Sequence, residues 1–544
     1  MDARLPSFVE LDLETSRRGL PARVADDLGG RPVVVRALER ILACERLRPP
    51  VVIVEQRQLD AARALVGDLP VSWFAHEHAD LRQRADLRRA RRWGKEAWRG
   101  GLAESFFTCE QGNPSAIADL YQREGWSAAM FLPAEAPFLD PARIDELATG
   151  FASGGVARKL YLSTAPPGIA GDVLGLEMVS VLAQFQRTLA DVLGFVPDRK
   201  SGHPDAHFFH PFPLAVSAAR GRFTVDSRAA LAVARSWWDA SRGQESEAGA
   251  LFRWLTQAPD SVAGALPEEL VHELGPDAGG SRAPRSRAAV PESVRCTVRA
   301  RVLAACSERD DSLLTVGGGY HDPLLDPSCP DFLRQARAVT FGLHVDTPGA
   351  AITESSADGV LAADPDVITV DLGAVGEEAL ARIAPGTPGF DARVRGLETL
   401  LARRGPRHRH RAPFVVVSVV IDEASMNEFE PFFDRWHARV ARVLVRGLEG
   451  RRGEIASTSA GLFAPPERAP CVRLTTQLRV EADGTVPLCA RDPDGENRIG
   501  NVQVDAIASL WQGTGLRAAR RAHREHRWDE IGHCGPCASW FRLD

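Results

Sequence analysis

Four of the nine cysteines in this 544-residue chain lie near its end, in a pattern that suits metal coordination. Cys534 and Cys537 form a C-x-x-C pair, Cys471 lies upstream, and Cys489 ends a strand-like stretch that contains Asp483-Gly484, a residue pair typical of a two-residue hairpin turn. Thiolates are ligands of zinc ions and of iron–sulfur clusters. We therefore expect a tight turn and a hairpin to bring four thiolates to one metal centre.

Two kinds of metal site satisfy this ligand set. Four thiolates fill every iron of a 4Fe-4S cube and leave none open to a substrate, so such a cluster would be structural or would relay electrons. The same four ligands suit a tetrahedral zinc ion. The number of ligands does not distinguish the two sites, and both remain open from the residues alone.

Composition sets the class of protein in which this site lies. An apolar content of 44% and a charged content of 25% are ordinary for a globular protein, and a formal net charge of -6 gives no reason to expect nucleic acid as a partner. The N-terminus lacks the pattern of a signal peptide, and no apolar run is long enough to span a bilayer. We therefore expect a cytoplasmic protein without a membrane partner, in which cysteines are thiols and metal ligands.

Apolar strand-like runs alternate with helical patterns over most of the chain, which predicts an α/β fold. We expect three domains: a doubly wound α/β domain over residues 1–243, a partial β/α barrel over 244–465, and a small metal-binding domain over 466–544. The predicted strands of the barrel are 267–274, 312–316, 338–344, 367–371, 414–421 and 440–445.

A basic loop with glycine lies near the start of the first predicted domain. Arg17, Arg18 and Arg23 surround Gly19, a combination that can hold the phosphates of a nucleotide through charge and backbone N–H groups. Together with two later segments, this loop resembles the cytidylyltransferases of sugar and spore-coat polysaccharide biosynthesis. The matching stretches are Ser16 to Arg23, Gly30-Arg31-Pro32, Leu132 to Pro141 and Arg222 to Ser227.

That resemblance implies a nucleotidyltransferase-like domain, in which Arg17, Arg18 and Arg23 would contact nucleotide phosphates. If the domain is active, the resemblance implies a CTP-dependent reaction on a sugar-type substrate, with Mg²⁺ held by carboxylates. Glu135 stands where the family has a metal-binding aspartate, and Arg23 where it has a lysine. Such replacements move the charged atoms, so an inherited scaffold without activity is the alternative.

A glycine-rich loop follows a strand of the second predicted domain. Gly317, Gly318, Gly319 and Asp322 begin the segment GGGYHDPLLDP. This segment and the order of the strands resemble the radical S-adenosylmethionine (radical SAM) barrel, and the resemblance implies that these four residues form the loop that holds the methionine part of the cofactor. The family's C-x-x-x-C-x-x-C motif is absent from the chain. Without its thiolates no cluster can pass an electron to the cofactor, so we expect neither S-adenosylmethionine nor radical chemistry.

The cysteine-rich end resembles the SPASM or twitch extension of radical SAM enzymes, because cysteines, turn, Ile-Gly-Asn, tryptophan and C-x-x-C follow in the same order. This resemblance implies one 4Fe-4S cluster on Cys471, Cys489, Cys534 and Cys537. The whole combination resembles the spiro-SPASM group of proteins.

The function expected from these resemblances is that of an iron–sulfur protein without radical-generating activity. It would bind a small-molecule or peptide substrate or a partner enzyme, or would relay electrons to a redox partner. The alternatives are a nucleotidyltransferase in the first domain and a four-cysteine zinc scaffold.

Overall fold

A computed structural model gives the architecture of the chain. It describes residues 4–77, 85–86, 88–89, 92–93, 113–154, 160–163, 165–166, 168–186, 209–210, 212–213, 223–241, 248–275, 290–318, 321–387, 389–406, 411–446, 468–490, 492, 497–537 and 539–540. The chain divides into two compact units, the first comprising residues 1–96 and 103–261 and the second residues 97–102 and 262–544. The domain boundaries at residues 243 and 465 are a finer division and stay predictions.

The first unit is built on a seven-stranded mixed sheet with the order β3-β2-β1-β4-β6-β5-β7. Strands β1 to β4 run parallel, and β6 pairs antiparallel with both β4 and β5. The strands are β1 (Ser7–Leu11), β2 (Val51–Glu55), β3 (Ser72–His76), β4 (Ala128–Pro133), β5 (Leu160–Ser163), β6 (Asp172–Gly175) and β7 (Phe209–His210). The chain leaves β1 and β4 in opposite directions across the sheet, which creates a crevice at their carboxyl ends, the usual ligand position in doubly wound folds.

Helices cover this sheet, and two of them begin at side-chain caps. Asn113 accepts hydrogen bonds from the N–H groups of Ser115 and Ala116, and Asp140 caps the next helix in the same way, each directly before a proline. The helices of this unit are α1 (Val33–Leu42), α2 (Leu59–Val66), α3 (Pro114–Glu124), α4 (Pro141–Ser153), α5 (Leu176–Phe185), α6 (Arg228–Ala240), α7 (Ala248–Gln257) and α8 (Pro259–Ala263), the last of which ends beyond the unit's boundary.

The second unit contains a seven-stranded sheet in which every neighbouring pair is parallel, with the order β13-β12-β11-β10-β9-β8-β14. Because β8 to β13 follow one another in chain order, right-handed crossovers place the connecting helices on one face, as in a β/α barrel. The strands are β8 (Glu269–His272), β9 (Leu313–Gly317), β10 (Gly342–Thr347), β11 (Val367–Gly373), β12 (Phe414–Val420), β13 (Arg442–Arg446) and β14 (Gln477–Val480).

The two faces of this sheet differ in chemistry. Alternate residues such as Leu314, Val345 and Val417 are buried in one apolar core with the helices. The residues between them are polar although they are also buried, as Thr315, Thr369 and Ser418 show. The helices are α9 (Glu292–Ser307), α10 (Cys329–Val339), α11 (Glu354–Ala362), α12 (Glu377–Ile383), α13 (Phe390–Arg404), α14 (Phe429–Trp436), α15 (Arg473–Thr476), α16 (Ile507–Trp511) and α17 (Thr514–Arg524). The α/β fold class predicted from the sequence, with its partial barrel, is confirmed.

The hairpin predicted around Asp483-Gly484 forms its turn but not its pairing. Gly484 has a φ of 82°, and its N–H donates to the Glu481 carbonyl over 2.9 Å. Strand β14, before the turn, pairs with β8, whereas β15 (Thr485–Pro487), after it, pairs antiparallel with β16 (Arg498–Asn501). The prediction of a hairpin was wrong because the open edge of β8 takes the first strand.

Within the described ranges, every helix is too short or too polar to cross the hydrocarbon layer of a membrane.

Candidate metal centre

The four cysteines lie at the ends of short elements of the second unit. Cys471 precedes α15, and Cys489 follows β15. Cys534 and Cys537 share a turn in which the Cys537 N–H donates to the Cys534 carbonyl over 3.3 Å, and the Cys534 N–H donates to the Ile531 carbonyl over 2.8 Å. These backbone bonds hold the C-x-x-C pair in a compact loop.

The thiols are near enough to influence one another. Burial raises the pKa of Cys534 well above its usual value, and the neighbouring thiols of Cys489, Cys471 and Cys537 raise it further. No disulfide joins any of the eight cysteines that the structure describes. A metal centre would offset the mutual repulsion of four thiolates, which is why such ligands lose their protons only on binding.

Ligand geometry is not closed around a cation. Among the described residues, no group of three or more histidine, cysteine or carboxylate side chains stands in a metal-binding arrangement. The assignment of Cys471, Cys489, Cys534 and Cys537 as metal ligands therefore stays a prediction, although the structure brings the four thiols into one neighbourhood.

Arg468 is a residue of this site that the sequence did not reveal. Its Nη1 donates to the carbonyl of Gly535 over 2.8 Å, and its Nη2 donates to the carbonyl of Cys534. The guanidinium lies over the ring of Trp528, 4.5 Å from the ring centre. One fixed positive charge thus clasps the turn that carries two of the four thiols.

His523 adds a neutral ring to the same neighbourhood. Its Nδ1 accepts a hydrogen bond from the Cys471 N–H over 3.2 Å. Burial, then the charges of Arg468 and His533, lower the pKa of His523 to about 4. The ring is therefore neutral near pH 7 and carries its proton on Nε2, an atom that is buried and has no hydrogen-bond partner within the described residues.

These features fit an anionic iron–sulfur centre. Four thiolates around a cluster leave a net negative charge, and the buried donor atoms Nε of Arg468 and Nε2 of His523 make no hydrogen bond within the part of the chain that the structure describes. Sulfur atoms of a cluster accept hydrogen bonds from such donors. Both donor atoms therefore match the charge of the predicted cofactor.

The remaining residues of the sequence pattern support the site from behind. Asn501 donates from Nδ2 to the Asp483 carbonyl over 3.2 Å and so ties β16 to the preceding turn. A side chain at Gly500 would lie 2.3 Å from Leu510, so only glycine fits there. Trp511 is fully buried and donates to the Ala263 carbonyl over 3.1 Å. The Ile-Gly-Asn and tryptophan signals therefore have packing roles.

The glycine-rich loop after β9 follows the course expected of it only in part. Gly317 and Gly318 have φ values of 99° and 70°, whereas Gly319 lies outside the described residues. Asp322 caps a short 3-10 helix by accepting from the Leu324 N–H over 3.1 Å, and it accepts from Thr347 Oγ1 over 2.8 Å. The Asp322 carboxylate, predicted to face a cofactor, has these two internal donors, and its role as a ligand-binding group stays a prediction.

A hydrogen-bonded polar layer crosses the inner face of the barrel. Thr315 donates from Oγ1 to Glu269 over 2.6 Å and lies 3.2 Å from His344 Nδ1, and His344 Nε2 lies 2.8 Å from Thr369 Oγ1. These side chains come from four adjacent strands, β8 to β11. Sequence reasoning missed them, although polar residues at every second position of apolar strands were a usable signal.

Charged groups lie at the carboxyl end of the same strands. Arg446 stands 3.6 Å from Asp346 and 3.8 Å from Asp371. His321 Nδ1 lies 2.9 Å from Glu273, whose other oxygen lies 3.2 Å from Arg479. The mouth of the barrel is therefore lined by paired charges rather than by an apolar core.

In the first unit, the segments that resemble a cytidylyltransferase converge. Arg17 Nε lies 3.4 Å from Glu135 Oε1, and the Val225 N–H donates to the Glu135 carbonyl over 2.7 Å. Arg18 is buried, and Arg23 pairs with Asp26 over 3.3 Å. Arg17 therefore contacts the carboxylate that stands at the metal-binding place of the family, in the crevice between β1 and β4.

Comparison with known proteins bears on the C-terminal segment most directly. Residues 471–538 match the family model SPASM, described as an iron-sulfur cluster-binding domain. An uncharacterized protein of Treponema pallidum (strain Nichols) is 30% identical over 117 residues, which are 21% of this chain and 31% of that protein. The match thus spans about a third of the length of this curated relative.

Solved structures similar to parts of the chain have low sequence identity. BtrN in complex with AdoMet and 2-DOIA is 12% identical, with a TM-score of 0.35, covering 50% of this chain and 93% of BtrN. A cytidylyltransferase from Leptospira borgpetersenii serovar Hardjo-bovis (strain JB197) is 15% identical, with a TM-score of 0.34, covering 47% of this chain and 96% of that chain. The enzyme anSMEcpe with bound AdoMet is 13% identical, with a TM-score of 0.35, covering 50% and 85%.

The thiols of this site and the family match coincide in one stretch of chain. Residues 471–538 of this protein form a SPASM iron-sulfur cluster-binding domain.

Proposed function

We propose that the protein is a one-cluster iron–sulfur protein, in which Cys471, Cys489, Cys534 and Cys537 hold a 4Fe-4S cluster and no radical is generated. The observation that carries this proposal is the neighbourhood of four thiols inside the segment that matches the SPASM family model. Such a cluster, when bound, supplies a centre that can accept and return one electron.

The protein's own residues would perform three tasks around this centre. The four thiolates would occupy every ligand position, so that substrate has no free iron to bind. Arg468 would fix the C-x-x-C turn, because both of its Nη atoms donate to carbonyls of that turn. The barrel would bind a small-molecule or peptide substrate, or a partner enzyme, through the charged groups at its mouth, among them Arg446 and Arg479.

Absence of radical chemistry follows from the sequence rather than from the structure. No C-x-x-x-C-x-x-C motif occurs in the 544 residues. A second cluster would need three thiolates on one loop. The protein would therefore act as an electron relay or as a binding module in a cytoplasmic assembly.

Metal analysis after anaerobic purification tests this proposal. We expect about four iron and about four sulfide per chain. Replacing Cys534 and Cys537 by serine should abolish iron binding. The matched control is Cys296→Ser, an exposed thiol on α9, which should leave the iron content unchanged. Stoichiometric zinc without iron would replace the proposal with the four-cysteine zinc scaffold.

A second candidate function is a CTP-dependent nucleotidyltransferase in the first unit. The observation in its favour is the convergence of Arg17, Glu135 and Val225 at the carboxyl ends of β1 and β4. Mg²⁺ bound with the nucleotide would need carboxylates at this place, and Glu135 is the residue that resembles the family's ligand.

Thermal unfolding with and without ligand tests the second candidate. Stabilisation by CTP with Mg²⁺ would support it, because a ligand of the native state raises the stability of that state. The shift should disappear in Glu135→Ala and persist in Glu124→Ala, an exposed residue at the end of α3. If CTP with Mg²⁺ leaves the melting temperature unchanged, the transferase is excluded and the iron–sulfur proposal is unaffected.

A further inference from the structure

The thiol site has a second layer of cationic and N–H groups that no sequence motif announces. Arg468 lies three residues before Cys471, yet its guanidinium bonds to carbonyls of Cys534 and Gly535 at the other end of the segment. The ring of Trp528 supports the guanidinium from one side at 4.5 Å. Three contacts from separate groups hold this positive charge in one position.

Charge balance explains what a fixed cation does at such a site. An oxidised 4Fe-4S cluster with four thiolates carries two net negative charges, and one-electron reduction adds a third. Adding negative charge to a partly buried site is unfavourable unless a positive charge lies nearby. A guanidinium keeps its charge over the whole working pH range, so its effect is constant.

His523 supplies the second component. Because its Nδ1 accepts from the Cys471 N–H over 3.2 Å, the neutral ring carries its proton on Nε2. The ring is 2% exposed, and its Nε2 has no hydrogen-bond partner among the described residues. Hydrogen bonds to cluster sulfurs favour the reduced state in the same direction as a nearby cation.

We propose that Arg468, assisted by His523, is the positioning residue that raises the reduction potential of the predicted cluster. This inference rests on the proposed function. The step it governs is the transfer of one electron from a low-potential one-electron donor protein to the cluster. No covalent bond forms or breaks, and no proton is taken up, because the guanidinium is charged before and after the transfer.

A redox titration with dithionite, followed by electron paramagnetic resonance, tests this role. In Arg468→Gln we expect the ratio of reduced to oxidised cluster at a fixed potential to fall about tenfold, which is about 59 mV for a one-electron couple. Arg468→Lys should restore most of the difference, because it keeps the charge. The matched control is Arg517→Gln, which removes an exposed arginine of α17 that bonds to Gln512.

The outcomes separate this inference from the proposed function. A wild-type protein without iron contradicts the proposed function itself. A full complement of iron in Arg468→Gln with the wild-type potential overturns the inference alone. If Arg468→Gln assembles no cluster, His523→Leu carries the test: a lower potential with iron retained supports the second layer, and an unchanged potential overturns it.

Discussion

At the scale of single residues, buried ionisable groups give the second unit a pH dependence. His272, on β8, is fully enclosed, and its Nδ1 lies 3.1 Å from the Val480 carbonyl. Burial lowers the pKa of His272 to about 4, whereas the side chain titrates at 6.5 when exposed. Between these values the unfolded chain binds a proton that the folded chain does not, so stability falls as pH falls through this window.

We expect His272 to cost the folded state about 2 kcal/mol when the pH is lowered from 8 to 5. His272→Asn should remove this dependence, since an amide does not titrate there. The measurement is urea denaturation at both pH values, followed through hydrogen exchange of β8. The control His526→Asn, at an exposed position where φ is 58° and asparagine is tolerated, should keep the wild-type slope.

The residue scale also shows where sequence reasoning reached its limit. The cysteines were found because thiol chemistry restricts their spacing. Arg468 and His523 were not found, because an arginine or histidine becomes part of a site only through contacts that the fold creates. Asp322 illustrates the converse: a motif position matched, but its carboxylate accepts from Thr347 and from the Leu324 N–H.

At the scale of elements, the loop after β9 depends on glycine for a reason unrelated to any cofactor. A Cβ at Gly317 would lie 2.0 Å from the carbonyl oxygen of Asp346 on β10. The residue also has a φ of 99°, in the region that side chains disfavour. Close packing of adjacent strands therefore accounts for this glycine by itself.

Gly317→Ala is expected to destabilise the second unit by at least about 3 kcal/mol, because the backbone must shift to relieve the contact. The matched control is Gly386→Ala in the same unit, where φ is 80° and no atom lies within 4 Å of an added Cβ. That change should cost only about 1 to 2 kcal/mol. Equal losses in urea denaturation would contradict the steric explanation.

Strand positions were largely predictable and strand partners were not. The apolar run at 367–371 became β11, Val367–Gly373, because a continuous apolar stretch has few other uses. The run predicted at 338–344 was displaced, because Ala338 and Val339 end helix α10 before β10 begins at Gly342. The pairing of β14 with β8 depended on which sheet edge was open, a property that local sequence does not contain.

At the scale of the whole molecule, the cysteine-rich segment is continuous with the barrel. Strand β14 belongs to this segment and lies in the barrel sheet, and Val486, Leu510 and Trp511 belong to the same apolar core as the barrel strands. Metal binding at the cysteines should therefore stabilise more than the residues around them.

Hydrogen exchange with mass spectrometry tests this coupling. Replacing Cys534 and Cys537 by serine should speed exchange in β15 and β16, and also in β14 and β8. Strand β2 of the first unit serves as the reference, because it belongs to a separate core and should exchange as in the wild type. Faster exchange limited to β15 and β16 would show that the metal acts only locally.

The pairing of β14 with β8 also sets an order of events during synthesis. His272 and Val480, which are hydrogen-bonded in the finished protein, are 208 residues apart. While the ribosome translates the intervening stretch, β8 has one edge that no strand of the nascent chain can yet cover, and open edges invite pairing with other chains. The last strand to reach the sheet is carried by the segment that holds the cysteines, so closure of the sheet and completion of the thiol set occur together, at the end of translation.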